Sequence, residues 1–304
     1  MSVPVDLTAD LLSAARGDAS EVRTVTEQDL PLTSIRPAAG WQLVNVRELW
    51  QYRELLYFLV WRDVKVRYKQ TALGALWALL QPLLMMVVFT IFFRRMAGVD
   101  SGGMPYSVFS YLGLLPWTFF ATAISNAGNS VVGSERLITK IYFPRLAVPF
   151  ASVGASVVDF LIACSLLVVL MTWHHVAPGP AVALAPLIFA TIMMMALGIG
   201  TLLAALNVSY RDFRYVIPFL VQVWMFATPS VYMNVTSGKG SHGPLPLVLA
   251  LNPMTGLITA FRAACSGRQV PWGEFGISAA TAAAVFLAGC LYFRRTERNF
   301  ADII

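Results

Sequence analysis

Apolar and polar positions alternate along this chain in long blocks rather than in short periods. The first block, residues 73–93, reads LGALWALLQPLLMMVVFTIFF and carries no charge. A run of about twenty such residues is long enough to cross a bilayer as a helix. Five further blocks follow, at 106–127, 146–173, 181–206, 215–235 and 275–293. The pattern predicts an all-α membrane protein with six transmembrane helices. A transmembrane barrel needs segments of about ten alternating residues, and that pattern is absent. Proline falls in several blocks, at Pro82, Pro116, Pro186, Pro218 and Pro229, and predicts kinks at those points, which membrane helices tolerate when neighbours satisfy the freed carbonyls.

Ahead of the first block the pattern changes. Residues 41–69, WQLVNVRELWQYRELLYFLVWRDVKVRYK, interleave aromatics and aliphatics with charges, as an amphipathic helix in the membrane interface does. Its predicted apolar face is Leu49, Tyr52, Leu56, Leu59 and Val60. The three regions are therefore a flexible cytoplasmic tail at 1–40, an amphipathic interface helix at 41–72 and a transmembrane domain at 73–304. The tail is polar, with Asp6, Asp10, Asp18, Glu21, Glu27 and Asp29, and it lacks the apolar core of a secretory signal.

Composition agrees with lipid as the solvent: 57% of residues are hydrophobic and 12% charged, with a mean hydropathy of +0.66. Lys and Arg divide unevenly between the loops. Arg47, Arg53, Arg62, Lys65, Arg67 and Lys69 precede the first span, Arg136, Lys140 and Arg145 follow the second, Arg211 and Arg214 follow the fourth, and Arg294, Arg295 and Arg298 follow the sixth. The other side holds Arg94, Arg95, Lys239, Arg262 and Arg268. The positive-inside rule places both termini in the cytoplasm. The net charge of +6 is spread beside membrane ends rather than along one groove, which points to anionic membrane lipids and away from nucleic acid.

Several chemistries are disfavoured. No phosphate loop ending in Gly-Lys-Ser or Gly-Lys-Thr occurs, so the chain carries no recognisable nucleotide site of its own. Cys164, Cys265 and Cys290 have neither disulfide nor metal spacing and read as packing residues. His174 and His175 sit at a span end and read as an exposed turn; no metal site and no catalytic residue is predicted. Asp159 is the one acid inside a span, expected either to bond a neighbouring helix or to relay protons. The loop after span two, NAGNSVVGSERLITKIYFPRL, suits a short helix. Its Leu137, Ile138, Ile141, Tyr142 and Phe143 need cover from a membrane or a protein, so it is either a docking element or a plain connector.

Five strings in this order resemble the membrane subunits of ATP-binding-cassette exporters for polysaccharides and polyol phosphates, the O-antigen, capsule and teichoic-acid permeases: RELLYFLVWRDVKVRYKQTALGALWALLQPLL, YLGLLPWTFFATAISNAGNS, LITKIYFPR, ALNVSYRDFRYVIPFLVQVWMFATPSVY and LNPMTGLITAFR. The resemblance covers residues from about 44 to the end and leaves out the tail, Arg94, Arg95 and the SGKGSHGP segment. It implies a homodimeric permease in the bacterial inner membrane, moving a lipid-linked glycan, with two separate ATPase subunits that bind ATP and Mg. It further implies a coupling helix seated in the ATPase, with Glu135, Arg136, Leu137, Ile138, Lys140, Tyr142, Phe143 and Arg145. Short re-entrant helices between spans five and six would form an outer gate with Asn252, Pro253, Met254 and Phe261.

A sugar chain presents C–H faces and hydroxyls, so its pathway should combine aromatic rings with polar groups and few fixed charges. Span two offers that mixture in Tyr106, Phe109, Tyr111, Trp117, Phe119, Phe120, Thr122, Ser125 and Asn126, and span five in Gln222, Trp224, Thr228, Ser230 and Tyr232. The alternative for the aromatics is an interfacial belt. Two other functions share parts of this pattern. An exporter of a small hydrophobic drug or lipid has the same architecture with a greasier pathway, and a membrane glycosyltransferase or polymerase needs convergent acids that are missing here.

Overall fold

Burying backbone polar groups in lipid leaves helices as the solution for apolar segments of this length, and helices are what form. The structure is a computed structural model that describes residues 50–69, 74–96, 103–140, 143–228, 252–297 and 300. All of these belong to the unit Trp41–Ile304; the expectations for the tail, for Tyr142, Ser230 and Tyr232, and for a kink at Pro229 lie outside the described residues. The helices in chain order are α1 (Arg53–Tyr68), α2 (Leu76–Phe89) continued by a π-helical segment (Thr90–Met96), α3 (Tyr106–Gly133), α4 (Glu135–Lys140), α5 (Ala147–Trp173), a 3-10 turn (Pro180–Leu184) leading into α6 (Ala185–Ser209), α7 (Phe213–Phe226), α8 (Pro253–Cys265) and α9 (Trp272–Thr296).

Five of these segments are long and apolar enough to cross a membrane, beginning at Leu76, Tyr106, Ala147, Pro180 and Trp272. They coincide with the predicted spans one to four and six. Predicted span five begins as α7, a shorter apolar helix over its described residues, and the rest of its predicted range lies outside them. The helices continue through Pro82, Pro116 and Pro218. Pro186 instead occupies the first turn of α6. A proline there loses no hydrogen bond, because first-turn amides have no partner within the helix. It marks a helix start and not an interruption.

At the centre stands α3, buried along most of its length. Around it α2, α5, α6, α7 and α8 contribute to one large apolar core that includes Phe109, Leu112, Leu115, Phe120, Met195 and Phe261. Against this, α6 and α9 meet backbone to backbone. A Cβ on Gly289 would lie 2.1 Å from the Gly198 carbonyl oxygen, and one on Gly198 would lie 2.6 Å from the Phe286 backbone. Small residues at such a crossing replace the missing hydrophobic drive between helices in lipid with close van der Waals contact.

Below the main core a second cluster joins α1 to the α4 end of the bundle, with Leu59, Val131, Ile138, Phe143, Leu146, Val208, Phe293 and Phe300. Here α1 lies along α5, with Val60 over Gly154. Of its predicted apolar face, Leu59 is buried and Tyr52, Leu56 and Val60 pack half-buried against this cluster, Leu49 lying outside the described residues; Tyr57, Phe58 and Trp61 on the other side are exposed. Aromatic rings interleaved with Arg62 and Lys65 suit a membrane surface. Gly74, between α1 and α2, has a φ of +48°, a conformation that favours glycine.

Candidate functional site

The predicted pathway residues of span two do not share one open face. Tyr106, Phe109, Tyr111, Trp117, Phe119 and Phe120 are all buried among neighbouring helices. Tyr111 donates its hydroxyl to the Ala163 carbonyl at 2.8 Å, satisfying its polar tip inside the bundle. Phe119 packs against Phe160 and Phe189, and those two rings stack at 4.0 Å. Within this single chain the aromatic richness of span two builds core. Lower down, Asn126 is half-buried and donates to Ser156 at 3.3 Å.

Span five presents the opposite picture. Helix α7 is held to α3 by Ile217, which sits over Gly128, and by Trp224, whose ring meets Phe120 edge to face at 5.2 Å. The opposite side faces outward: Tyr215, Phe219 and Phe226 are 78%, 65% and 61% exposed, and Gln222 is exposed between them. Spacings of four, three and four residues put these four side chains on one helical stripe. It is the aromatic and polar mixture expected of a glycan path, on a helix with room beside it.

Of the predicted outer-gate residues, Asn252 stands at the C-terminal end of α7. Asn252 caps α8 by accepting from the Met254 amide at 3.1 Å. The same oxygen accepts from Trp224 Nε1, and the side-chain amide donates to the Ala227 carbonyl and to Thr228 Oγ1. Pro253 fills the first turn of α8, while Met254 and Phe261 are buried in the main core. Arg262 was expected in an outer loop but is 5% exposed inside α8. Its Nε donates to the Phe109 carbonyl at 3.2 Å, and the guanidinium lies 3.8 Å from the centroid of the Phe109 ring. A cation over an aromatic face is stabilised by the ring quadrupole, which accounts for a charge in this setting. The LNPMTGLITAFR string, which Arg262 ends, hints at this burial only through its apolar content.

At the other end of the bundle α4 exposes Glu135, Arg136, Thr139 and Lys140 and half-buries Leu137. Ile138 and Phe143, expected to need cover from outside, are covered by the chain's own second core. Arg145 reaches across to the Glu297 carbonyl and so ties this loop to the end of α9. The face that remains for a partner is charged.

Asp159 is bonded to α1. Arg67 pairs with one carboxylate oxygen and Tyr68 donates to the other. Desolvation, reinforced by the bond to Asp159, pushes the Tyr68 phenol well above its ordinary range, so it remains a donor. Of the two readings open for Asp159, the helix-to-helix bond is the one that this geometry forms. A second link runs from Ser152 to Asp63 at 3.2 Å. At the C-terminal end of α5, His174 Nε2 lies 2.9 Å from Ser107 Oγ. Among the described residues no group of three or more His, Cys, Asp or Glu could hold a metal ion.

Relatives of this chain are exporters' membrane subunits. The O-antigen export system permease protein RfbA of Myxococcus xanthus is 33% identical over 260 residues, covering 85% of this chain and 98% of that protein. A Klebsiella pneumoniae protein of the same description is 25% identical over 259 residues, covering 83% of this chain and 95% of its own length. The ABC-2 type transporter family matches residues 54–265, from α1 through α8, and the chain belongs to that family.

Proposed function

We propose that this chain is the permease subunit that exports a lipid-linked polysaccharide of the O-antigen type across the bacterial inner membrane. The observation that carries the reading is the near-complete coverage of an O-antigen export permease at 33% identity. Transport rather than catalysis is the task of this subunit. Two copies, each with six membrane-crossing helices and both termini in the cytoplasm, place the stripe Tyr215, Phe219, Gln222 and Phe226 along a shared pathway. Trp224 supports that wall from behind. Two ATP-binding-cassette ATPase subunits bind ATP and Mg and dock under α4, meeting Glu135, Arg136 and Lys140. Tyr142, two residues after Lys140 in sequence, is assigned to the same contact. Asn252, Pro253, Met254 and Phe261 form the outer gate, where α8 meets α7. The aromatic and amide composition of the stripe suits sugar rings and hydroxyls, and its lack of fixed charge between Tyr215 and Phe226 suits a neutral chain.

The test is deletion of the gene in its own host. Loss of surface polysaccharide with accumulation of the lipid-linked chain inside the cell is expected, with recovery from the plasmid-borne gene. Unchanged surface polysaccharide in the deletion overturns the reading.

A further inference from the structure

A cavity of about 300 Å³ opens between α1, α2, α3 and α5, away from the outward stripe of α7. We propose that it is an entry subsite for one uncharged hexopyranose unit of the transported glycan; this rests on the polysaccharide reading above.

Four observations carry it. The first is charge. The two ionic groups in the lining, Arg67 and Asp159, neutralise each other, and Tyr68 occupies the second carboxylate oxygen. A phosphate or an ammonium entering the cavity meets no unpaired countercharge, so the site favours a neutral ligand.

The second is the type of polar group. Gln81 and Thr122 line the cavity, and among the described residues neither side chain has a hydrogen-bond partner. An amide and a hydroxyl both donate and accept, which is what a ring of hydroxyls requires. Asn126 and Ser156 stand beside them, already bonded to each other and so held in place.

The third is the apolar surface. Trp77 is 53% exposed at the cavity and offers an indole, while Phe119 and Phe160 close the inner wall. Flat rings against amides and hydroxyls match the C–H face and the hydroxyl rim of a pyranose. An acyl chain has no use for the polar half. The volume sits at the lower end of the roughly 300–1,000 Å³ of small-molecule sites, room for a sugar unit and not for a polymer segment.

The fourth is position. Trp77 and Gln81 lie in the first turns of α2, just beyond Gly74, and Asn126 lies toward the α4 end of α3. The cavity thus occupies the half of the bundle near the coupling loop, where a substrate made inside the cell arrives first.

The complex of this chain with its ATPase is to be examined by saturation-transfer NMR. The probes are the methyl α-glycosides of mannose, glucose and galactose, with glycerol 3-phosphate as the charged control. At least one hexoside is expected to receive saturation and glycerol phosphate is not. Gln81→Leu and Thr122→Val should each weaken hexoside binding about fivefold, the factor for one lost hydrogen bond, while the chain and the ATPase still co-purify. Surface polysaccharide in cells carrying the double variant should fall. The proposal is overturned by no hexoside transfer to the wild type, by equal transfer to the double variant, by preference for glycerol phosphate, or by full export from the double variant. If the deletion strain loses polysaccharide, and wild type and double variant restore it equally, the subsite fails and the export function stands. If the deletion strain keeps its polysaccharide, the export function itself fails.

Discussion

Trp224 Nε1 donates to Asn252 Oδ1 across 3.1 Å, joining the end of α7 to the residue that begins α8. The asparagine makes three more bonds, with the Met254 amide, the Ala227 carbonyl and Thr228 Oγ1. One side chain therefore both caps α8 and fixes its angle to α7. Asn252→Ala removes all four bonds, at roughly 1 kcal/mol each before relaxation, and is expected to lower the thermal stability of the purified chain and to abolish export. Trp224→Phe keeps the contact with Phe120 and loses one bond, so it should retain most stability. Equal melting of Asn252→Ala and wild type in a thermal-shift assay would show that the junction is held elsewhere.

Arg67 and Asp159 are only 28% and 20% exposed at their side chains. Breaking the pair leaves a charge facing apolar helices, with a cost somewhat below the roughly 3–5 kcal/mol of a fully enclosed pair because some solvent reaches it. Asp159→Asn and Arg67→Gln should each reduce the amount of folded protein in the membrane, and the double variant should recover most of it. Additive losses in the double variant would mean that the two residues act separately.

Five of the predicted spans were legible because membrane-crossing helices announce themselves by length and apolarity alone. α3 shows the limit of that signal. Its Tyr, Trp and Phe residues read equally well as pathway, belt or core, since all three environments favour large rings. Only packing partners such as Ala163 for Tyr111 separate these cases. The burial of Arg262 was hidden for the same kind of reason: a cation in a short segment between spans reads as a surface residue until its position over Phe109 is seen. Likewise Ile138 called for cover, but nothing in the sequence says that Leu59 and Phe293 provide it. Of the outward stripe on α7 the sequence pattern singles out Gln222 alone; Trp224, named with it, turns inward to Phe120, because which side of the helix is covered depends on contacts such as Ile217 over Gly128.

Ile138 and the charged face of α4 should separate in mutagenesis. Ile138→Asp buries a carboxylate among apolar side chains, costs several kcal/mol and is expected to destabilise the permease itself. Arg136→Glu with Lys140→Glu alters exposed positions only. That pair should leave insertion and melting unchanged while reducing ATPase co-purification. Normal ATPase binding and export by the charge-reversed variant would assign α4 to connection alone.

The arrangement of the pathway can be read by accessibility. Cys164 is half-buried and Cys265 and Cys290 are buried, so replacing all three with alanine or serine gives a background for single cysteines. In that background, cysteines at Phe219 and Gln222 should react with a water-soluble maleimide in the assembled complex. Those at Tyr111 and Trp117 should stay protected, because both side chains are enclosed by neighbouring helices. If two copies face each other across α7, a bifunctional thiol reagent should also link the Phe219 or Gln222 cysteines between chains, giving a species of twice the mass on a gel. A lipid-facing stripe gives a different result, since a charged maleimide does not partition into the bilayer core. Protection at Phe219 and Gln222 together with labelling at Tyr111 and Trp117 would reverse the assignment and return the pathway to α3.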